Sequence, residues 1–186
     1  MKKKGLARFL TFSSLVVFSG ILLISGCSGP AKTLDTAVKG PQVVVNPETI
    51  RLGVSTLRSA EFVFSGSGFE PGDSVFINLL NVPVDEKKDD IPIASADVEE
   101  DGTFNAAVET LAKVSDFLGG EIGSNEKLEN IIIITGPPMP VGTYTARAVS
   151  MLSDEKAECN LNVKGPSLID KLKDWIGGLL GKIVRK

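Results

Sequence analysis

The chain has 186 residues, 20 basic and 23 acidic, with a formal net charge of −3, 42% hydrophobic residues and no histidine. The missing histidine removes the commonest general base, the His-based nucleophile triads and the usual zinc ligand set. The acidic balance argues against a nucleic-acid binder, which needs a basic face to neutralise phosphates.

Residues 1–26 read as an export signal. Lys2, Lys3, Lys4 and Arg8 form a basic head, and Phe9 to Ile24 is mostly apolar and uncharged. That run is short for a membrane span and ends in small residues, the secretory pattern. The stretch Ile24-Ser25-Gly26-Cys27 resembles the lipobox of bacterial lipoproteins, in which an aliphatic residue and two small ones precede a cysteine. The resemblance implies that the Cys27 thiol is acylated, that the signal is cut just before it, and that the mature protein is lipid-anchored on the extracytoplasmic side of the bacterial envelope. Ser28, where an Asp commonly retains such proteins on the inner membrane, favours the outer membrane if there are two. The competing reading is an ordinary signal peptide with a cysteine nearby. Removing the leader takes four of the 20 basic residues and no acidic ones, leaving 16 against 23 in a mature chain of 160 residues, enough for one domain with tails.

Residues 27–41 are Ser-, Gly-, Pro-, Ala-, Lys- and Thr-containing and without periodicity, which suits a tether. From 42 to 164 the pattern is short strands separated by turn residues, as expected of an all-β sandwich. Val43 to Val45 is a first strand and a short second one runs near Ile50 to Val54. Glu61 to Ser65 places Phe62 and Phe64 on one face; Val75, Ile77 and Leu79 share another, and so do Ala94, Ala96 and Val98, then Phe104, Ala106 and Val108. Between the last two runs, Asp101-Gly102 is a hairpin signal. Tyr144, Ala146 and Ala148 mark a penultimate strand, and Ala157, Cys159, Leu161 and Val163 the last. That spacing puts the Cys159 thiol on an apolar face, as a buried, unreactive core residue.

Two stretches exceed a minimal sandwich. Val82 to Asp90 reads as a charged loop. The insertion at about 111–140 places Leu111, Val114, Phe117 and Leu118 at helical spacing, with Gly119-Gly120 as a stop and Ile131 to Ile134 as a candidate added strand. Long insertions often carry a sandwich's individual function.

The segment Phe64-Ser65-Gly66-Ser67-Gly68-Phe69-Glu70-Pro71-Gly72-Asp73-Ser74-Val75 is similar to the part of bacterial immunoglobulin-like (IPT/TIG-like) modules where Gly-x-Gly-Phe, a Pro-Gly turn and a new strand follow one another. Asp101-Gly102-Thr103-Phe104 and Pro140-Val141-Gly142-Thr143-Tyr144-Thr145-Ala146 resemble the same family's later hairpin and last-but-one strand. The resemblance implies an immunoglobulin-like β-sandwich with a helical insertion. Tyr144 then suits a tyrosine corner, its hydroxyl reaching a backbone group.

No phosphate-loop pattern occurs, and Ser65-Gly66-Ser67-Gly68 is read as a turn. Asp97, Glu99, Asp101 and Gly102 imitate the opening of a calcium loop, but the twelfth position is Val108 where a bidentate Glu is required. They remain weak metal candidates, and a solvated hairpin tip is the plainer reading. No cofactor and no catalytic residue are assigned.

Residues 165–186 form the last segment. Leu168, Ile169, Leu172, Trp175, Ile176, Leu179, Leu180, Ile183 and Val184 make one apolar stripe at helical spacing across 167–186, with five basic and two acidic residues. Ser167 can cap the helix. Leu168, Leu172, Trp175, Ile176, Leu179 and Ile183 are the expected contacts, with a membrane interface or a partner rather than with the sandwich. The functional expectation is a non-catalytic, membrane-anchored envelope module whose protein or polysaccharide partner is undetermined, with no nucleic acid. One alternative is a carboxylate-based enzyme or calcium-dependent binder using the insertion; another is a membrane-active helix carried by the sandwich.

Overall fold

The computed structural model describes residues 31–84 and 87–186. The expected signal peptide, Cys27 and the start of the tether lie outside the described residues. Strands predominate, in three sheets with a few helices.

The first sheet contains β1 (Gln42–Asn46), β3 (Val63–Ser67) and β6 (Phe104–Ala107), antiparallel in the order β1-β3-β6. The second contains β2 (Thr49–Arg51), β4 (Ser74–Val84), β5 (Lys87–Asp97), β9 (Gly142–Ser150) and β10 (Lys156–Lys164), in the order β2-β10-β9-β4-β5. Its pairs are antiparallel except β2 with β10. A period of two sends alternate side chains inward. Val43, Val45, Phe64, Phe104 and Ala106 from the first sheet and Val75, Ile77, Leu79, Ala146, Ala148 and Leu161 from the second therefore meet in one core. Phe62, just before β3, is fully buried and meets Phe117 edge to face at 5.6 Å. Each large side chain so buried contributes about 1.5–3 kcal/mol. The hydroxyl of Tyr144 donates to the Pro140 carbonyl at 2.6 Å.

The insertion builds the third sheet. A short α-helical turn, α2 (Thr110–Ala112), runs into a π-helical turn at Lys113–Phe117, which buries Val114 and Phe117, and Gly119 turns the chain at φ +63°. β7 (Gly120–Ser124) and β8 (Asn130–Ile134) then pair antiparallel, so the isoleucine run is the added strand expected of it. Lys113 is buried; its ammonium donates to the Ala60 carbonyl at 2.6 Å and lies 5.6 Å from the Phe62 ring centre.

Four local expectations are revised. The second strand stops at Arg51, and Val54 opens a helix, α1 (Val54–Ser59), because Val54 and Leu57 are three apart and both reach the core. The charged stretch Val82 to Asp90 is a two-stranded arm: Val82 pairs with Asp89, Pro83 with Lys88 and Val84 with Lys87, and Asn81 at φ 54° donates its N–H to Asp90. Across β4 and β5, Ile77 faces Ala94 while Asn78 faces Pro92, so Ile93 is the extra residue of a bulge and is buried, joining a face assigned to Ala94 and Ala96. Finally, Asp101-Gly102 forms its tight turn, with Gly102 at φ 78° and its N–H on the Glu99 carbonyl, yet the flanking strands part: β5 pairs with β4 and β6 with β3. The turn chemistry is local, whereas strand partners are chosen by the buried faces.

The expected tether is partly pinned. Lys32 and Asn46 exchange two hydrogen bonds of 2.8 Å, Lys32 pairs with Glu48 at 2.9 Å, and Asp35 and Gln42 exchange two more.

One buried carboxylate organises the end of β9. Asp73 accepts from the Ser150 hydroxyl and from the backbone N–H groups of Ser74, Leu152 and Ser153. The Ser150 hydroxyl above all, helped by these N–H donors against the opposing effect of burial, lowers its carboxyl to a pKa of about 2. A depressed folded-state value stabilises above the unfolded pKa of about 4 and is lost as pH falls from there towards 2. Acid titration of the urea midpoint should therefore show a loss across that window, and Asp73→Asn should flatten it while lowering stability at neutral pH. Tyr144→Phe, which leaves the Pro140 carbonyl without its partner, should cost about 1 kcal/mol in the same assay.

Candidate functional site

The C-terminal segment is a helix followed by a strand. α3 (Leu168–Leu179) begins at a capping box: Asp170 N–H donates to Ser167 Oγ, and Ser167 N–H returns to the Asp170 carboxylate at 2.7 Å. It ends in a Schellman turn, in which Lys182 N–H reaches the Gly177 carbonyl, Gly181 N–H reaches that of Gly178, and Gly181 sits at φ +65°. The helix expected over 167–186 thus stops at Leu179. β11 (Ile183–Arg185) follows, parallel to β8 and completing the sheet β11-β8-β7. Ile183, expected on the exposed stripe, is corrected to a buried strand residue at 9% exposure.

The orientation of α3 is set by its acidic face. At about 100° per residue, Asp170, Asp174 and Gly177 fall within an arc of about 60°. These three face the body. Asp174 accepts from the N–H groups of Val54 at 2.9 Å and Ser55 at 2.8 Å, supplying the cap that Gly53 lacks at the start of α1. Asp170 accepts from Thr56 Oγ1 at 2.7 Å. Burial opposes its ionisation, but hydrogen bonds from Thr56 and Ser167 outweigh that and hold its carboxyl below the ordinary value. Two glycines permit this approach: a Cβ on Gly53 would lie 2.6 Å from that of Asp170, and one on Gly177 2.7 Å from Ile183 Cδ1.

The apolar stripe consequently points outward. Leu168, Ile169, Leu172, Trp175, Ile176, Leu179 and Leu180 span about 140° of helix surface and are exposed, from 44% for Ile176 to 84% for Leu168. Lys173 borders one side of this face and Lys171 the other, with Lys182, Arg185 and Lys186 beyond the helix end. Five of the six expected contact residues, Leu168, Leu172, Trp175, Ile176 and Leu179, are thus brought onto one surface. The first described residues lie beside β10, the strand that leads to α3: Lys32 is paired to Glu48, whose carbonyl accepts from Asn162.

The other candidates do not converge. Asp97 accepts from Ser74 Oγ at 2.8 Å, Glu99 serves the turn through its backbone, and Asp101 is engaged by Thr103, whose hydroxyl and N–H lower its carboxyl below the usual range. Among the described residues, no three Cys, Asp or Glu side chains are grouped to hold a metal. Cys159 lies on the expected face of β10 but is only half-buried, and burial pushes its thiol up to about 11.

Sequence reasoning missed the two acidic keys and α1. The available signal was Asp170 and Asp174 four residues apart, opposite a continuous apolar stripe, a spacing that places both carboxylates on one helix face.

No known family profile matches the chain, and no curated protein matches it. Among solved structures, it is similar to a β-glucosidase from Listeria innocua in complex with glucose, at 12% identity and a TM-score of 0.35, and to the same enzyme without it, at 13% and 0.35. In both cases 67% of this chain matches 16% of the other, so the chain spans about a sixth of that protein's length, and a likeness of this level carries no argument about activity.

Proposed function

We propose that this chain is a non-catalytic lipoprotein of the bacterial envelope, anchored on the extracytoplasmic side through lipid on Cys27, with an immunoglobulin-like sandwich held against the membrane by α3 as a second foothold. The observation that carries the reading is the outward apolar face of α3. Monomeric soluble proteins rarely expose a contiguous apolar patch of this kind without a use for it. Lysines along both borders and a tryptophan in the stripe are the composition of a helix lying in a membrane interface. The two chains of a diacylglycerol suffice for attachment, so the contribution of α3 is to fix the pose of the body on the surface.

The strand order supports the immunoglobulin-like reading. With β1 and β2 as a first strand split between the sheets, β3 as B, β4 as C, β5 as C′, β6 as E, β9 as F and β10 as G, the sheets read A-B-E and A′-G-F-C-C′. Tyr144 near the start of F, bonded to a carbonyl four residues upstream, fits the corner of that fold. In this frame the insertion lies between E and F.

Mass spectrometry of native protein should find a diacylglycerol thioether on an N-terminal Cys27; an unmodified sulfur there would end the anchoring part of the reading. For the foothold, the chain begun at Ser28, which carries neither leader nor lipid, should float with anionic vesicles and shift Trp175 emission to the blue. Ile169→Asp with Ile176→Asp should weaken this at least tenfold without lowering the melting temperature, since both side chains are exposed. Raised salt should weaken it in part, through the lysine contribution of about 1 kcal/mol per residue near the surface. Unchanged flotation of that variant, or lipid-independent dimerisation through the stripe, would replace the membrane with another occupant.

A further inference from the structure

Beside α3, on the flank between its apolar stripe and its acidic face, a cavity of about 490 Å³ opens. Its walls are apolar: Leu52 and Val54 from the body, Leu118, Ile134 and Pro138 from the insertion, and Ile183 from β11. Lys171 and Arg185 line it as well, and among the described residues neither makes an ion pair. Asp174, also at the wall, is already committed to the N–H groups of α1. Trp175 belongs both to the cavity lining and to the exposed face, so the two surfaces are continuous.

Gly178 adds an independent observation. Of the glycines that end the chain, Gly177 is required by Ile183 and Gly181 by its positive φ, but a Cβ on Gly178 would meet nothing nearer than the Ile183 carbonyl at 3.9 Å. Glycine inside a helix is destabilising relative to alanine. At Gly178 no packing contact or backbone conformation asks for it, and its missing side chain leaves the cavity, which it lines, open.

We propose that this cavity holds one acyl chain of an anionic membrane lipid, with the headgroup phosphate against Lys171 and Arg185. An apolar pocket of a few hundred Å³ with a small number of polar groups at one side suits a ligand with a long apolar part and one charged end. Guanidinium and ammonium donors favour a phosphate over a neutral headgroup. The proposal rests on the membrane reading, since a lipid reaches the cavity from the surface on which α3 lies, passing Trp175.

The test is native mass spectrometry of the full chain in neutral detergent, titrated with phosphatidylglycerol or with phosphatidylcholine of the same chains. The expected result is one retained phosphatidylglycerol per protein and at least tenfold weaker retention of phosphatidylcholine. Gly178→Leu should fill the space, abolish retention and leave the melting temperature equal or higher. Lys171→Glu with Arg185→Glu should weaken phosphatidylglycerol about tenfold or more. Absence of a one-to-one adduct, an adduct undiminished by Gly178→Leu, or equal retention of both lipids would overturn the proposal. Its failure is distinguishable from that of the foothold: Gly178→Leu should still float with anionic vesicles, whereas Ile169→Asp with Ile176→Asp should lose flotation yet still retain the lipid from detergent.

Discussion

Two carboxylates decide what this protein shows to its surroundings. A helix with a wide apolar stripe would ordinarily bury it, and seven exposed large side chains forgo on the order of 10 kcal/mol of transfer free energy. α3 does not bury its stripe because Asp170 and Asp174 occupy the inward face, where the free N–H groups of α1 and the Thr56 hydroxyl satisfy them. Turning the helix over would carry both carboxylates out into water and lay apolar side chains over the N–H groups of Val54 and Ser55 and the Thr56 hydroxyl, leaving those donors without acceptors. Hydrogen bonds to charged groups are each worth about 1.5–3 kcal/mol, and a buried donor left unpaired costs its desolvation as well. The stripe is left free for something outside the fold.

The same constraint gives the insertion its place. Gly177 lets Ile183 pack under the helix, the Schellman turn at Gly181 aims the chain, and β11 then joins β8 of the insertion. The stretch between β6 and β9 therefore serves as a bed for the C-terminal segment, and carries no cluster of ligating side chains among the described residues. The cavity lies along this seam because helix and sheet touch at Ile183 and diverge where Gly178 supplies no side chain.

How much of this was legible depends on which physical signal each feature leaves in the chain. Period-two alternation located the faces of Phe64, Ile77, Ala106, Tyr144 and Leu161, since one buried side is all a strand needs to declare itself. Ile93 escaped because a bulge breaks the period. The arm at 82–90 escaped because its strands are mostly exposed and charged, and leave no alternation to read. Helical spacing revealed the stripe on α3 but not its direction: amphipathicity says that two faces differ, and only the partner decides which faces inward. Ile183 continued the spacing by coincidence, since the turn at Gly181 ends the helix before it. α1 is six residues long and draws its cap from Asp174, 120 positions away in sequence, so nothing local announced it.

Charge adds the last step. Beyond residue 26 the chain carries 16 basic and 23 acidic residues, and five of the basic ones fall in its final 20 positions. The sandwich portion is thus strongly acidic while the end bearing α3 is basic. Near an anionic surface such a molecule experiences an orienting torque, with the helix end drawn in and the rest held off, over a range of about a Debye length. Helix and charge asymmetry then favour one pose at such a surface, in which the turn between β9 and β10, at the opposite end of these strands from α3, points away from it.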